Sequence, residues 1–417
     1  MTPDPAIMRS VEQLGYKVTV GDVATQLGLN VAQANQGLIA LASDAGGHLQ
    51  VAESGDIVYL FPHNFRAVLR NKYLQLQLEE LWQKIWRVLF YLIRVSFGII
   101  LIASIVLILI TIYYILSSSN SNRNGSSRGG GSRGASFFYF PDLFWYFSPG
   151  YRDRYQERRV KQGENSSLNF LEAIFSFLFG DGNPNARLEE RRWQEIGGVI
   201  RQNGGAVVAE QVTPYLDNLG ETYQQEYEDY MLPILVRFNG QPKVSEAGEI
   251  VYCFPELQVT ANQKRNYTVS EYLHEAHWRF SMASSQQNVL SAGLGVLNLI
   301  LALFLGSLLK NGTLVTHNHI EFITFVRGIY WLILAYGTGF LGIPLVRYFW
   351  LQRINRQIAQ RNSDRLERAR LLANASPSLQ NKITYAHQFA QEKLISEEDV
   401  IYSTKEDLLE QEFKGEK

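Results

Sequence analysis

Three long apolar runs interrupt a chain that is otherwise amphipathic, and they set its expected architecture. The uncharged stretch "VSFGIILIASIVLILITIYYIL" follows Arg94, inside a run from Trp86 to Leu116. About 20 apolar residues cross a bilayer as one helix, so this run predicts a single crossing and is too short for two. The second run covers roughly Val289 to Leu309, with Gly and Ser at spacings that let helices approach closely. The third covers roughly Ile323 to Val346. Pro344 lacks the N–H that a helix interior uses, so a kink or break is expected there.

Outside these runs the pattern shortens to compact amphipathic elements. "PAIMRSVEQLG" reads as a helix, and "VTVGDVATQLGL" as a second, capped by Thr19 and stopped by Gly28. Asn30 caps a third helix with an apolar face of Val31, Ala34, Leu38 and Leu41. The strands "GHLQV" and "DIVYLFP" follow, joined through Glu53-Ser54-Gly55. A helix, a helix-turn-helix and a β-hairpin wing together resemble the winged-helix fold.

The hairpin then recurs. "VAESGDIVYLFP" at 51–62 and "VSEAGEIVYCFP" at 244–255 share eight of twelve residues. The same order precedes the second copy: a helix over Arg187–Asn203, then "VAEQVTPYLDNL", then "QQEYEDYMLPILVRFNG" where a third helix belongs. Pro214 and Pro233 make this copy less regular. The fold class is therefore a mainly α membrane protein, with transmembrane helices plus two winged-helix-like α+β domains. Wing residues are expected at Val51, Gly55, Tyr59, Phe61 and Pro62, and at Val244, Gly248, Tyr252, Phe254 and Pro255. Val51, Ile57, Val58, Tyr59 and Phe61 are expected to pack, Gly55 to make the turn, and Pro62 to direct the chain toward the membrane helix.

The resulting organisation is a first winged-helix-like domain at 1–65 and a juxtamembrane helix with the first span at 66–116. A flexible Gly/Ser/Arg linker at 117–135 and aromatic interfacial segments at 136–184 come next. The second winged-helix-like domain occupies 185–260, an elbow helix 261–288, the transmembrane hairpin 289–346, and a basic helix with an acidic tail 347–417. The basic helix is expected near the membrane surface, with the acidic tail either pairing with it or recruiting a partner.

Charge sets the expected orientation. Arg66, Arg70, Lys72, Lys84, Arg87 and Arg94 precede the first run, and seven arginines follow the third between Arg347 and Arg370. The loop between the second and third runs offers only Lys310. Positive residues stay on the cytoplasmic side, so both ends and the segment before the second run are placed there. One crossing at the first run would put the arginine-containing region 117–288 outside. A re-entrant or bent first segment, or a shallow return by "FFYFPDLFWYF" (137–147) or "LNFLEAIFSFLFG" (168–180), would reconcile the two.

Candidate chemistry is sparse. Residues 18–62 hold no Lys or Arg, so a DNA-binding reading lacks the cations that phosphate contacts require. Cys253 is the one cysteine and cannot by itself hold an iron–sulfur cluster or structural zinc. His274 and His277 in "HEAHW", and His317 and His319 in "HNH", are weak metal candidates. The HExxH zinc pattern needs histidines four apart, and an elbow helix anchored by Trp278 is the plainer reading. "GDGNPN" is turn chemistry. No nucleophile elbow, phosphate loop or cysteine pair is present, so neither catalysis nor a cofactor is expected. The first 20 residues lack the pattern of a signal peptide.

"VYLFP", "FLEAIFSFLFGDGNPN", "NGGAVVAEQVTPYLD", "GEIVYCFP" and "EEDVIYSTKEDLLEQE" together resemble an uncharacterised family of cyanobacterial and plastid membrane proteins. Plant members have carried an iron–sulfur cluster biosynthesis label. The resemblance implies a cyanobacterial plasma or thylakoid membrane, or the plastid envelope in relatives, with soluble domains cytoplasmic or stromal. The expected function is a membrane-anchored interaction scaffold or assembly factor, with the bilayer and an unidentified protein as partners. The alternatives are a membrane-tethered DNA-binding regulator and a transporter or channel component. Only Asn298, Thr324 and Arg327 offer polar groups for a transport pathway.

Overall fold

In a computed structural model the protein is mainly helical and forms two compact units. The structure describes residues 4–72, 74–121, 169–217, 219–220, 227–246, 248–261, 269–310, 320–396 and 398–405. The aromatic segment 137–147, the linker beyond Ser121, His317 and His319 lie outside the described residues. Unit 1 comprises 1–83, 184–277 and 355–417, and unit 2 comprises 84–183 and 278–354.

Unit 1 begins with α1 (Pro5–Gln13), capped by Asp4, whose Oδ1 accepts from the Ala6 N–H at 2.8 Å. Strand β1 (Lys17–Thr19) runs into α2 (Val20–Leu27) through a capping box in which the Thr19 and Asp22 side chains each accept from the other's N–H. Gly28 ends α2 in the left-handed region, and Asn30 caps α3 (Val31–Ala45). The strands β2 (His48–Ala52) and β3 (Ile57–Leu60) then form a hairpin. β3 lies centrally, with Val18 of β1 opposite Tyr59 and Val51 opposite Ile57. α4 (Phe65–Lys72) still belongs to this module, because Phe65 and Leu69 are fully buried in its core. Pro62 therefore leads into one more core helix, and the module extends past residue 65.

The same order follows in α7 (Leu188–Gln202), β4 (Ala206–Val207), α8 (Ala209–Val212), α9 (Leu232–Phe238), β5 (Gln241–Val244) and β6 (Ile250–Cys253). Again the last strand is central, and Val207 faces Tyr252 as Val18 faces Tyr59. The Phe61 N–H donates to Tyr16 O at 2.8 Å, and the Phe254 N–H donates to Gly205 O at 2.7 Å. Pro214 shortens α8, which passes into a 3-10 turn at Thr213–Tyr215. α9 starts only at Leu232, with Pro233 in its first turn.

One hydrophobic core runs through both modules, joining Val23, Leu38 and Phe65 to Ile196, Ile200, Phe238 and Phe254. The modules pack along α2 and α7, where small residues permit close approach. A Cβ at Gly21 would collide with the Glu256 carbonyl oxygen, and one at Gly197 would sit 3.1 Å from Thr25 Cγ2. α10 (Pro255–Gln258) and β7 (Val259–Thr260) complete this seam.

The C-terminal region departs most from expectation. α13 (Pro377–His387) packs on β4 and β6. β8 (Lys393–Leu394) pairs with β7, and β9 (Val400–Ser403) adds antiparallel to β2, with Val51 opposite Tyr402. The described part of the expected acidic tail is thus a sheet strand in the first module. It satisfies the backbone groups that an edge strand would leave open.

Unit 2 contains the apolar runs. α5 (Leu74–Ser121) is one continuous 48-residue helix, α11 is Ser285–Lys310, and α12 (Ile320–Ala373) has 54 residues with Pro344 inside. The segments Lys84–Ser117, Ser285–Lys310 and Ile320–Ala373 are long and apolar enough to cross a membrane. A re-entrant bend in the first run is excluded by the unbroken α5. Pro344 does not break α12 either. In an apolar span a broken helix would strand further backbone groups without water, so continuation costs less. From Asn355 onward α12 belongs to unit 1, where Ile358 and Arg365 are buried.

α6 (Phe170–Phe179), expected as an interfacial anchor, is packed inside unit 2. Ile174 and Phe177 contact a cluster that includes Leu101, Leu294 and Phe340. The expected elbow helix is also absent: residues 269–284 have no helical structure before α11 begins. Their polar groups are taken by side chains. Asn185 brackets Ala276, donating to its carbonyl and accepting from its N–H, both at 2.8 Å.

Candidate functional site

The four aromatic wing residues are interior. Tyr59 and Phe61 are buried, and the Tyr59 hydroxyl donates to Asn35 Oδ1 of α3 at 2.9 Å. Burial raises the Tyr59 phenol above its ordinary value, with the nearby Glu256 charge adding to the effect. Tyr252 repeats this arrangement: it is buried and donates to Glu228 Oε2 at 2.7 Å. Burial first, then the Glu228 contact, raises its phenol. Gly55 (φ +83°) and Gly248 (φ +84°) occupy the two turns. Phe254 is buried against Phe238, and Pro255 opens α10. Two residues depart from the packing role. Val244 is exposed on the outer strand of its sheet, and Ile57 is exposed at the start of β3.

Charged residues inside unit 1 are tied to one another. Asp22, which closes the α2 capping box, pairs with Arg201 of α7 at 2.7 Å, both deeply buried. Lys382 of α13 reaches Glu210 at 3.0 Å and Glu228 at 2.6 Å. Burial alone would lower the Lys382 ammonium, but the two carboxylates outweigh it and hold it above its ordinary value. Glu275 is bound by Arg361 and Arg365, each at 2.6 Å, and Asp217 by Arg365 and Arg192. These charges tie separate elements of unit 1 to one another.

The outward surface of the third helices has a different chemistry. On α3 the exposed positions include Ala32, Gln33, Gln36, Ile39 and Ser43. On α9 they are Leu232, Pro233 and Val236. Asn30 Nδ2 donates to Val236 O at 3.4 Å, and Arg237 Nε donates to Gly28 O at 2.8 Å, so the start of α3 meets α9. The Arg237 guanidinium lies over the Trp193 ring at 4.2 Å and is half-buried there. The joint exposed face is uncharged, amide-bearing and apolar.

Beside it lies a cavity of about 440 Å³, lined by Asn30, Asn35, Asp56, Ile57, Val236 and Glu256 among others. Burial, then the Asp56 charge, raises the Glu256 carboxyl above its ordinary value. Ile57 and Val236 thus meet in a feature that the wing pattern alone did not locate.

Of the four histidine candidates, His274 and His277 are among the described residues. His274 and His277 are exposed on the non-helical 269–284 segment, and the Tyr272 hydroxyl is 3.4 Å from His274 Nδ1. Glu275 between them turns inward to the arginines. Among the described residues no group of three or more His, Cys, Asp or Glu side chains is placed to hold a metal ion. Cys253 is buried on β6, and burial raises its thiol. Asn298 is buried and accepts from Ser104 Oγ at 3.0 Å, whereas Thr324 and Arg327 are exposed on α12.

The chain is 40% identical over 422 residues to a chloroplastic Arabidopsis thaliana protein described as uncharacterised, covering 98% of this chain and 80% of the relative. No family model matches the chain. No solved structure matches it.

Proposed function

Since the chain belongs to the family of this chloroplastic Arabidopsis protein, we propose that it is a membrane-anchored interaction scaffold or assembly factor, acting through two winged-helix-like modules. Its apolar helices span a membrane of a cyanobacterium or plastid, and its modules lie on the cytoplasmic or stromal side. The observation that carries the reading is the joint face of α3 and α9. In DNA-binding winged helices the third helix enters the major groove beside phosphate-neutralising cations. Here that face carries Gln33, Gln36, Ile39, Leu232 and Val236, a mixture suited to a protein surface with few charges.

The test is site-specific photocrosslinking from Gln36 and Val236 in intact membranes. The expected result is one discrete adduct from both positions, with the Gln36 adduct lost when Ile39→Asp and Val236→Asp are combined. Adducts that survive this double change, or salt-sensitive binding of duplex DNA by the same face, would overturn the reading.

A further inference from the structure

Unit 2 carries a groove along α12 that its described side chains leave unfilled. It encloses about 940 Å³ and runs from Trp331 past Ala335, Gly339, Gly342 and Val346 to Trp350. Leu178 and Phe179 of α6 form one wall. The nineteen steps from Trp331 to Trp350 rise about 28 Å at 1.5 Å per residue. That length is close to the ~30 Å hydrocarbon thickness of a bilayer.

Glycines in unit 2 fall into two kinds. Some are explained by internal packing: a Cβ at Gly295 would press on Phe340 at 2.5 Å, and one at Gly306 would collide with the Tyr330 hydroxyl. At Gly339 and Gly342 a Cβ would meet nothing within 4 Å. Glycine within a helix is less favourable than alanine, so these two positions keep a groove open at a cost that the packing of the described residues does not explain.

The end of the groove is electropositive. Arg347 lines it and donates to the carbonyls of Ser176 and Phe280, with its guanidinium 4.4 Å from the centre of the Phe280 ring. The Asp181 carboxylate pairs with Arg94 at 3.5 Å and is only a nearby charge for Arg347, so two guanidiniums outnumber one carboxylate beside the apolar groove. A parallel second copy in the groove would bring Arg347 toward its own counterpart, an unfavourable like-charge contact. A molecule with an apolar chain and one negative head matches both ends.

We propose that this groove binds an anionic phospholipid, with an acyl chain along Trp331–Val346 and the phosphodiester headgroup at Arg347, flanked by the Trp350 indole. The proposal rests on the membrane placement of unit 2. Tryptophan and arginine at this boundary suit a headgroup interface.

Native mass spectrometry of the full chain in detergent, with phosphatidylglycerol and phosphatidylcholine of identical acyl chains, tests it. Phosphatidylglycerol is expected to be retained several-fold more than phosphatidylcholine. Arg347→Gln should abolish that preference. Gly339→Leu, which fills the groove without breaking the helix, should reduce retention of both lipids. Gly293→Leu on α11, where a Cβ is equally unobstructed, should change neither. Equal retention of the two lipids by the unaltered chain, or identical behaviour of the two leucine variants, would overturn the proposal. So would a dimer abolished by Gly339→Leu, because a second copy would then be the occupant. Alkaline carbonate extraction of the same variants reads membrane placement separately. Release of the unaltered chain would sink that placement and the lipid site together, whereas retention without lipid preference would sink only the lipid site.

Discussion

Arg365 and Glu275, ninety positions apart, form a buried ion pair of 2.6 Å, with 1% and 4% of their side chains exposed. One turn earlier on α12, Asn362 brackets the Glu275 backbone, accepting from its N–H and donating to its carbonyl, both at 2.9 Å. Arg365 also donates to Leu273 O at 2.7 Å. A segment without regular structure is therefore docked on a helix by side chains that take the place of a backbone ladder, and the ion pair lies at the centre of that contact.

Removing one partner leaves the other charge buried and uncompensated. Glu275→Ala is expected to destabilise unit 1 by about 3–5 kcal/mol, the usual cost of breaking a buried pair. Chemical denaturation of the detergent-solubilised chain, followed by tryptophan fluorescence, measures this. A loss below about 1 kcal/mol would show that the pair is wet and the docking loose.

Two ion clusters give opposite pH signatures. Burial alone would raise the Glu275 carboxyl, but hydrogen bonds and charge from Arg361 and Arg365 hold it below its ordinary 4.5. Its stabilisation is present above 4.5 and is lost as pH falls through the depressed folded value. Lys382 is held above its ordinary 10.5 by Glu228 and Glu210. Its contribution is complete below 10.5 and disappears as pH rises through the folded value. Thermal unfolding across pH should show Glu275→Gln flattening the acid limb and Lys382→Met flattening the alkaline limb. Unchanged limbs in both variants would remove these groups from the pH response.

The turn glycines form a matched pair. Gly55 and Gly248 have nearly the same φ, and a Cβ at either would meet nothing within 4 Å. Alanine at each position should cost about 1–2 kcal/mol through the left-handed backbone alone. The two penalties should agree within about 0.5 kcal/mol. A large inequality in denaturant midpoints would show that one turn contributes more than backbone geometry.

Strand β9 protects the edge of the first sheet. The Thr404 N–H donates to Leu49 O, the Leu49 N–H to Thr404 Oγ1, and the Glu53 N–H to Asp399 O. Truncation after Ser396 should therefore speed hydrogen exchange at Leu49 and Glu53 while leaving the β1–β3 ladder protected. It should also promote self-association through the uncovered β2 edge. Unchanged exchange at Leu49 would show that β9 pairs only transiently. The second sheet has Pro242 in its outer strand β5, a residue that cannot extend the ladder as a donor.

Local signals carried much of the architecture. Thr19 and Asn30 cap the helices expected of them, Gly28 terminates the first of these, and Gly55 with Gly248 makes the two turns, because each feature depends on dihedrals and neighbours a few residues away. The apolar runs announced three long helices for the same reason, since length and composition are properties of a single segment. What depended on distant partners was not legible. Nothing near Val400 states that it will extend the sheet begun at His48, and "HEAHW" looked helical until Asn185 and Asn362 claimed its backbone. Likewise Pro344 predicts a kink or a break, and of these the break does not occur because continuing the apolar helix costs less than ending it. Periodicity and capping are written within a turn or two of chain, whereas edge pairing, buried charge and an open groove arise only when segments hundreds of residues apart share one space.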